Sequence, residues 1–529
     1  MVVSTHGIGI SNHHSRAVLI QLHRTRGARF HVSGIRWRDA QDALSRIYAA
    51  FESCQIQRPS GAFTLHLGST HDILSTELLD APIALSLLGS CGIIAPHRIA
   101  ELLSVGSIKL DGKIEWGANA CATRISLNTY PSLREIKYGL LPSGCPLIEF
   151  NQSNTSLPTF QVKSILEVIE HIQHSKPLPL IKTSNQWQKR KRWDPEKQDN
   201  SFEKLKLTPL QVKSLILSAA GRFSLLIIGC PGSGKSEMAK ALHQLLPKLS
   251  LDQGKAVRSI CLMKGEDLPL SERPPFRIPH PQTSPHGLIG SIRPNGIAMP
   301  GEFSMAAHGI LCLDEFSEFS RNSIEALRGP MDQDTVSLSG AAGSAHFSAD
   351  ALIVATSNPC PCGHFHSGAE YCSCSNGQIK NYLRRISGPV ADRFMMHVET
   401  STYSDSHHHP RPSLAETREI VRIIRHHWMH PSTKYRWTAH AQQCIQQHRT
   451  RHKSSHRGIQ ALEKITRLHA IFRHHELLSH AANPNQTFTI EPEDAIFAGH
   501  LRLFDRPRWW DRSFQYDDFK NDATKMNRS

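Results

Sequence analysis

The sequence lacks an apolar run long enough to cross a bilayer, and its first residues, MVVSTHGIGISNHHS, lack the basic start and apolar stretch of a secretion signal. Cysteine is also scarce, since 12 residues among 529 are too few for a disulfide scaffold. These absences argue against a membrane-spanning protein and against a small disulfide-stapled one. We expect a cytoplasmic protein with no membrane partner, in which most cysteines are buried thiols or metal ligands.

Acidic residues are in the minority. The 46 Asp and Glu residues are outnumbered by 61 Lys and Arg residues, which gives a formal net charge of +15. This excess favours a polyanionic partner such as nucleic acid, although charge by itself indicates nonspecific attraction and also serves solubility. The length leaves room for about three domains, each with its own core.

One short stretch, LLIIGCPGSGKSEMAK at residues 225–240, matches the phosphate-loop pattern G-x-x-x-x-G-K-[ST]. An apolar run from Leu225 to Ile228 precedes the glycine-rich turn and a helical pattern follows it, which predicts strand, loop and helix. Backbone N–H groups of such a loop attract phosphates, Lys235 can reach the β and γ phosphates, and Ser236 would hold Mg²⁺. An incidental glycine-rich turn is the alternative. The predicted ATP-binding residues here are Gly229, Cys230, Pro231, Gly232, Ser233, Gly234, Lys235 and Ser236.

Polar residues end two further apolar runs. GILCLDEF, residues 309–316, ends in Asp314, which would bind the nucleotide's Mg²⁺ through its water shell, and Glu315, which would polarise the attacking water. The run ALIVATSNP places Asn358 where its amide could orient that water, although Asn-Pro also starts turns. The alternative for each run is a plain buried strand with a polar end.

Two arginines are candidates for contacts with the γ-phosphate. RRISGPVADRF, residues 384–394, carries Arg393, and in ring motors such an arginine enters the neighbouring subunit's site to stabilise transition-state charge. Arg457 stands near the start of a helical pattern and is suited to the same phosphate. A solvent-exposed helix arginine is the alternative for Arg457.

Four of the cysteines are clustered as C-x-C-x9-C-x-C in CPCGHFHSGAEYCSC. Two close pairs of thiolates could make a tetrahedral zinc site, and His364 or His366 could replace one ligand. Reduced thiols in a Pro/Gly-rich loop are an equal alternative, and a disulfide is less expected in the cytoplasm. The candidate ligands are Cys360, Cys362, Cys372 and Cys374.

Five sequence blocks resemble, in order, those of the ComM family of magnesium-chelatase-related AAA+ ATPases. They are PPFRIPHPQTSPHGLIGS, PGEFSMAAHGILCLDEFSEF, ALRGPMDQDTVSLSG, NPCPCGH and RRISGPVADRF. The resemblance covers about residues 205–505 and implies ATP and Mg²⁺ as cofactors, a hexameric ring, DNA as partner, and branch migration of transforming DNA. Departures from the family pattern are Pro281, Gly340 and Met395.

Weaker similarity, in DAPIALSLLGSCGII and GSIKLDGKIEWG, relates the first part of the chain to a Lon-protease-like domain, which we expect to be noncatalytic. The expected fold class is α/β: a Lon-like domain of the ribosomal S5 domain 2-like type, a phosphate-loop AAA+ core with a parallel sheet, and a C-terminal helical lid. The expected segments are the Lon-like domain over 1–180, a charged linker over 181–202, the ATPase core over 203–403, the lid over 414–505 with an extended segment at 486–490, and a disordered tail over 506–529.

The leading hypothesis is a nucleic-acid motor that hydrolyses ATP at subunit interfaces. The main alternative is a chelatase-like ATPase that remodels a protein and does not act on DNA. A third is a peptidase, for which Ser107 and Lys109 lie on one short segment, although a Lon-type serine and lysine lie much further apart in sequence. A fourth is an assembly factor that binds ATP without translocating.

Overall fold

In the computed structural model, the described residues up to 180 contain ten strands. They are β1 (Val2–Ser11), β2 (His14–Thr25), β3 (Phe30–Ser33), β4 (Ala62–Leu67), β5 (Leu102–Ser104), β6 (Ser107–Ile108), β7 (Ile114–Glu115), β8 (Arg124–Ile125), β9 (Tyr138–Pro142) and β10 (Thr159–Val162). Eight of them make one mixed sheet in the order β10-β9-β5-β1-β2-β4-β3, with β8 paired to β2, while β6 and β7 form a separate hairpin. Strands β1, β5, β9 and β10 run parallel, and β2 is antiparallel to both β1 and β4.

The structure describes most of the chain, with gaps. The described residues are 2–11, 14–68, 77–116, 124–125, 136–142, 158–180, 201–264, 266, 271–293, 298–333, 335–340, 343–365, 372–386, 388–400, 412–452, 454–478 and 486–505. The predicted tail and residues 181–200 of the predicted linker lie outside them. In these ranges, no helix combines the length and the apolar character needed to span a bilayer.

Helices pack on the first sheet, and together they form an apolar core that belongs to this part of the chain. They are α1 (Trp37–Ser53), α2 (Asp80–Ser90), α3 (Pro96–Ala100) and α4 (Ile165–His174). Every residue of α2 is buried, as expected for an apolar helix that packs against β1 and β2. The first residue of α2, Asp80, is fully buried, and its carboxylate accepts two hydrogen bonds of 2.8 Å from Arg46 on α1. Asp80 also accepts hydrogen bonds from Ser107 Oγ and the Ile108 N–H of the β6–β7 hairpin, so one carboxylate joins three elements.

Replacing Arg46 with Met should therefore destabilise this part of the molecule by about 3 kcal/mol, because it leaves the Asp80 carboxylate buried without its cation. Hydrogen exchange of the full-length chain measures this locally, and protection of the α2 amides should fall by about two orders of magnitude. Arg36→Ala is the matched control, since the Arg36–Asp39 pair is at the surface, with Arg36 66% exposed. Equal protection in both variants would contradict the prediction.

A five-stranded sheet forms the centre of the second part of the chain. The strands from here to the end of this part are β11 (Leu225–Gly229), β12 (Phe276–Arg277), β13 (Gly290–Ile292), β14 (Ala298–Pro300), β15 (Ile310–Leu313), β16 (Thr335–Gly340), β17 (Gly343–Ser348), β18 (Leu352–Ser357) and β19 (Met396–Thr400). The central sheet has the order β12-β15-β18-β11-β19, and each neighbouring pair is parallel. Pairs β13–β14 and β16–β17 form antiparallel hairpins. The predicted α/β class with a parallel-sheet core is confirmed, whereas the Lon-like nature of the first part stays a prediction.

Both faces of the central sheet are covered. Leu225 and Ile227 of β11 pack into one apolar cluster, and Leu226 and Ile228 pack into another, as the alternation of side chains along a strand requires. The flanking helices are α5 (Ser201–Lys204), α6 (Pro209–Gly221), α7 (Lys235–Leu245), α8 (Leu251–Met263), α9 (Pro285–Ile289), α10 (Glu302–Met305), α11 (Arg321–Ala326), α12 (Arg328–Asp332), α13 (Asn376–Leu383) and α14 (Gly388–Ala391). Phe202, which the sequence places in the linker, is fully buried in the first of these clusters.

The last described part is mainly helical, as the sequence predicts. Its elements are α15 (Leu414–Met429), β20 (Lys434–Trp437), α16 (Ala439–His452), α17 (His456–Arg473), β21 (Thr487–Ile490) and α18 (Pro492–His500). The extended segment expected at 486–490 forms β21, which pairs in parallel with β20. Helix α15 begins with a capping box between Ser413 and Glu416 and packs on α6 of the central part. The two parts therefore share one apolar cluster.

Candidate nucleotide site

The phosphate-loop motif folds as strand, loop and helix. Strand β11 ends at Gly229, the loop follows, and α7 begins at Lys235. Gly232 and Gly234 have φ angles of 76° and 81°, which a residue with a side chain adopts only with strain. These two glycines let the loop curve back over the start of α7, where free backbone N–H groups and the helix dipole attract an anion.

Lys235 lies at the centre of the candidate site. Its Nζ donates to the carbonyls of Gly229 and Cys230 at 2.7 and 2.9 Å, and to Asn358 Oδ1 at 3.0 Å. Burial lowers the pKa of Lys235, and the nearby Asp314 and Glu315 carboxylates partly offset this effect. Because Asn358 follows β18, the neighbour of β11, these contacts bring two predicted site residues together at the carboxyl edge of the sheet.

The predicted Mg²⁺ ligands also meet at this edge. Ser236 Oγ lies 3.0 and 3.2 Å from the two carboxylate oxygens of Asp314, at the end of β15. Thr356 Oγ1 donates to Asp314 at 2.5 Å and accepts the Glu315 N–H at 3.0 Å. Glu315 has a φ of 52°, an uncommon value for a residue with a side chain. Hydroxyl and carboxylate oxygens next to a phosphate loop are suitable ligands for Mg²⁺.

The two predicted arginines converge on one carboxylate. Arg393 Nη2 donates to Asp332 Oδ2 at 2.6 Å, and Arg457 Nη2 donates to the same oxygen at 3.0 Å. Burial raises the pKa of Asp332, but hydrogen bonds from both arginines outweigh this effect and lower it. Arg393 also donates to the carbonyls of Arg328 and Pro389, so its guanidinium is held within its own chain. The structure therefore places Arg393 and Arg457 side by side.

Four sulfur atoms form a compact group after β18. The Sγ atom of Cys360 lies 3.3 Å from that of Cys362 and 3.8 Å from that of Cys372, and all four sulfurs, including that of Cys374, lie within 4.8 Å of one another. Four thiolates around a tetrahedral Zn²⁺ at about 2.3 Å would be about 3.8 Å apart, so the spacing fits zinc. The cluster is complete without His366, which lies outside the described residues.

One of these thiols is poised to ionise. Burial raises the pKa of the Cys362 thiol, but the backbone N–H of His364 and the neighbouring thiols outweigh this effect and lower it to about 6. Thiolates are the form in which cysteine binds metal. The donor chemistry therefore agrees with the spacing.

The cysteine loop touches the phosphate loop directly. A Cβ atom at Gly363 would lie 2.6 Å from Cδ of Pro231, so the Gly363 backbone approaches the Pro231 ring as closely as glycine permits. Beside this contact, Cys230 Sγ lies 4.0 Å from the Phe365 carbonyl oxygen. The shape of the cysteine loop therefore bears on the shape of the loop that would hold phosphate.

Comparison with known proteins agrees with this geometry. Residues 202–408 match the family model "Magnesium chelatase, subunit ChlI". The competence protein ComM of Haemophilus influenzae is 28% identical over 392 residues, which are 72% of this chain and 73% of that protein. The uncharacterized protein YifB of Escherichia coli is 27% identical over 368 residues, which are 68% of each chain. The DNA replication licensing factor MCM4 of Oryza sativa is a more distant match, with 25% identity over 142 residues. These residues are 27% of this chain and 14% of MCM4.

Residues 202–408 therefore form a domain of the magnesium-chelatase family, and the chain is similar to ComM and YifB along about 70% of its length. Similarity to this AAA+ family indicates an ATPase that uses ATP and Mg²⁺. The residues of the ATPase core that sequence reasoning missed are Asp332, which receives both arginines, and Thr356, which bridges Asp314 and Glu315. Asp332 lies inside the block ALRGPMDQDTVSLSG. The sequence marks this block by its family resemblance but gives no sign that the Asp332 carboxylate binds two arginines.

In this ComM/YifB-like protein the peptidase alternative finds no support from geometry. Ser107 Oγ donates to the buried Asp80, whereas Lys109 Nζ pairs with Glu115 at 2.7 Å and is 57% exposed. A serine nucleophile needs its base within hydrogen-bond reach. Here the two side chains are engaged by different carboxylates.

Proposed function

We propose that this protein is an ATP-driven ring motor, hexameric in the manner its family resemblance implies, that acts on DNA in branch migration and recombination of transforming DNA. The observation that carries the proposal is the convergence of Lys235, Ser236, Asp314 and Asn358 at one edge of the parallel sheet. Arg393 and Arg457 lie side by side on Asp332, which supports the proposal that they act together in the nucleotide site of a neighbouring subunit.

Each residue has a distinct task in this proposal. Lys235 exchanges its carbonyl partners for the β and γ phosphates, and Ser236 and Asp314 hold the nucleotide's Mg²⁺, which neutralises phosphate charge. Glu315 accepts the proton of the attacking water, and Asn358 orients that water. Arg393 and Arg457 leave Asp332 and stabilise the charge on a neighbouring subunit's γ-phosphate.

Charge and similarity support DNA as the partner. The net charge of +15 favours a polyanion, and the relatives include a competence protein and, more distantly, DNA replication licensing factors. The first part of the chain, with its own core, would serve as a noncatalytic scaffold.

The test is ATP hydrolysis by the purified chain with and without branched and single-stranded DNA, with Lys235→Ala as the control. We expect DNA to raise kcat severalfold and the Lys235→Ala variant to lose hydrolysis, because Lys235 is the cation at the phosphates. The stimulation should shrink steeply as salt rises, since binding through phosphates releases counterions. Hydrolysis that ignores every DNA tested would overturn the DNA motor.

That outcome would favour the second candidate, a chelatase-like ATPase that remodels a protein. The observation in its favour is that the matching family model is a magnesium chelatase subunit. Both candidates need the same nucleotide site, so the Lys235→Ala control should be inactive in either case.

We also infer that Cys360, Cys362, Cys372 and Cys374 bind a structural Zn²⁺. The sulfur spacing supports this site, and a metal there would fix the loop between β18 and α13. Because this loop packs on Pro231, zinc would brace the phosphate loop without touching nucleotide.

A further inference from the structure

A buried ion pair lies at the end of the described chain. Arg502 is fully buried, and its Nε and Nη2 atoms donate to the two carboxylate oxygens of Asp505 at 3.0 and 2.8 Å. Burial raises the pKa of Asp505, but His448 and Arg502 outweigh this effect and hold it well below its usual range. A two-bonded guanidinium–carboxylate pair has a defined orientation as well as charge.

The remaining guanidinium nitrogen of Arg502 reaches the central part of the molecule. Its Nη1 donates to the carbonyl of Phe394 at 2.7 Å and to that of Met395 at 3.3 Å. These are the two residues that directly follow Arg393. Arg502 therefore fixes the backbone from which the Arg393 side chain projects.

The same ion pair supports the start of α17. A Cβ atom at Gly458 would lie 3.2 Å from Arg502 Nη2 and 3.2 Å from Asp505 Oδ2, which is tighter than an ordinary contact. Gly458 directly follows Arg457, so glycine allows the helix start to rest on the ion pair. The two segments that carry Arg393 and Arg457 thus share one buried support.

Backbone hydrogen bonds strengthen this junction. The His397 N–H donates to the Leu501 carbonyl at 2.7 Å, and the Phe504 N–H lies 3.3 Å from His397 Nδ1. The Arg393 carbonyl accepts from Ser224 Oγ at 3.0 Å, immediately before β11. The segment after Arg393 is therefore held from both sides, by β11 and by the chain after α18.

We propose that the Arg502–Asp505 pair is a positioning pair, which holds Arg393 and Arg457 at the separation needed to engage one γ-phosphate together. This inference rests on the proposed role of the two arginines. Replacing a buried ion pair by apolar residues is often neutral for stability, so stability alone does not account for the Arg502–Asp505 pair. Its contacts with the segments that carry Arg393 and Arg457 favour a role in orienting these two side chains.

The test is a double variant, Arg502→Met/Asp505→Leu, which removes both charges and keeps the volume apolar. We expect kcat for ATP hydrolysis to fall about 10- to 100-fold with KM for ATP unchanged, because the arginines are displaced while the phosphate loop is intact. The matched control is Arg473→Met/Asp494→Leu, which removes another arginine–aspartate pair of the lid, with N–O distances of 3.2 and 3.1 Å. Thermal unfolding of both double variants shows whether either has lost its fold.

Mixing experiments separate positioning from general damage. Lys235→Ala subunits cannot bind phosphate properly but still carry intact arginines, so mixed with the Arg502→Met/Asp505→Leu chain they should restore turnover above the sum of the separate activities. A mixture without such recovery, or a rise in KM, would overturn the proposal. If the fold is lost, Arg502→Lys supplies the test: it keeps the charge opposite Asp505 but loses the forked donor, and should lower kcat to a smaller extent.

Arg393→Ala distinguishes the two levels of inference. If Arg393→Ala leaves kcat unchanged, the proposed role of the interfacial arginines fails, and the positioning role fails with it. If Arg393→Ala lowers kcat and the Arg502→Met/Asp505→Leu variant hydrolyses ATP at the wild-type rate, only the positioning role is overturned.

Discussion

Replacing Glu315 with Gln is expected to lower kcat for ATP hydrolysis by about 10²- to 10⁴-fold while ATP still binds. The amide occupies the same space but cannot accept the proton of the attacking water. The backbone of Glu315 is fixed by its hydrogen bond to Thr356, so the substitution should leave the proposed Mg²⁺ ligands, Ser236 and Asp314, in place. The expected signature is a loss of turnover with no loss of affinity.

Two measurements on the same variant give this signature: steady-state hydrolysis and equilibrium binding of a fluorescent ATP analogue. Glu318→Gln is the matched control, because Glu318 lies in the next turn, is 49% exposed and pairs with Arg385 at 3.7 Å. Its kcat should equal that of the wild type. If Glu315→Gln hydrolysed ATP within about threefold of the wild-type rate, another group would have to be the base.

The parts of this site that could be predicted from sequence are those whose signals are local. The glycines before Lys235 and the apolar run before Asp314 each indicate the end of a strand. In a parallel sheet, the carboxyl ends of the strands lie at the same edge. The C-x-C pairs are local signals of the same kind, and their sulfurs do meet. The roles of these residues in catalysis and metal binding stay predictions.

The parts that could not be predicted depend on contacts between distant segments. Asp332 accepts hydrogen bonds from Arg393, which is 61 residues away in the sequence, and from Arg457, which is 125 residues away. No periodic pattern in the sequence indicates such a pairing. Arg502 would be assigned to the surface from its charge, yet it is fully buried because Asp505 and two backbone carbonyls satisfy its donors. Residue type alone does not show which cation finds enough partners to be buried.

Removing zinc from the cysteine cluster is expected to lower kcat/KM for ATP by about 10- to 100-fold, since the phosphate loop loses its brace and a displacement of about 1 Å at such a site is costly. The metal content of the purified chain should be about one zinc per chain. Cys360→Ser/Cys372→Ser should lose the zinc and show the same fall in kcat/KM. Cys91→Ser, which alters a half-buried cysteine outside the cluster, should keep both.

A glycine substitution separates the brace from the metal itself. Gly363→Ala retains the four thiols and should retain the zinc, but its Cβ would lie 2.6 Å from Pro231 and its φ of 82° is strained for alanine. We expect weaker ATP binding and a raised KM with normal zinc content. Gly377→Ala is the matched control, because its nearest atom, Ser375 Oγ, would be 3.9 Å from the added Cβ and the position is helical.

The two perturbations together decide whether the cysteine loop communicates with the phosphate loop. If the contact between Gly363 and Pro231 carries the effect, zinc removal and Gly363→Ala should change the KM for ATP in the same direction, and zinc removal from the Gly363→Ala variant should add less than it does in the wild type. Full ATPase activity in the zinc-free wild type would contradict the coupling. Wild-type kinetics in Gly363→Ala would show that the two loops touch without energetic consequence.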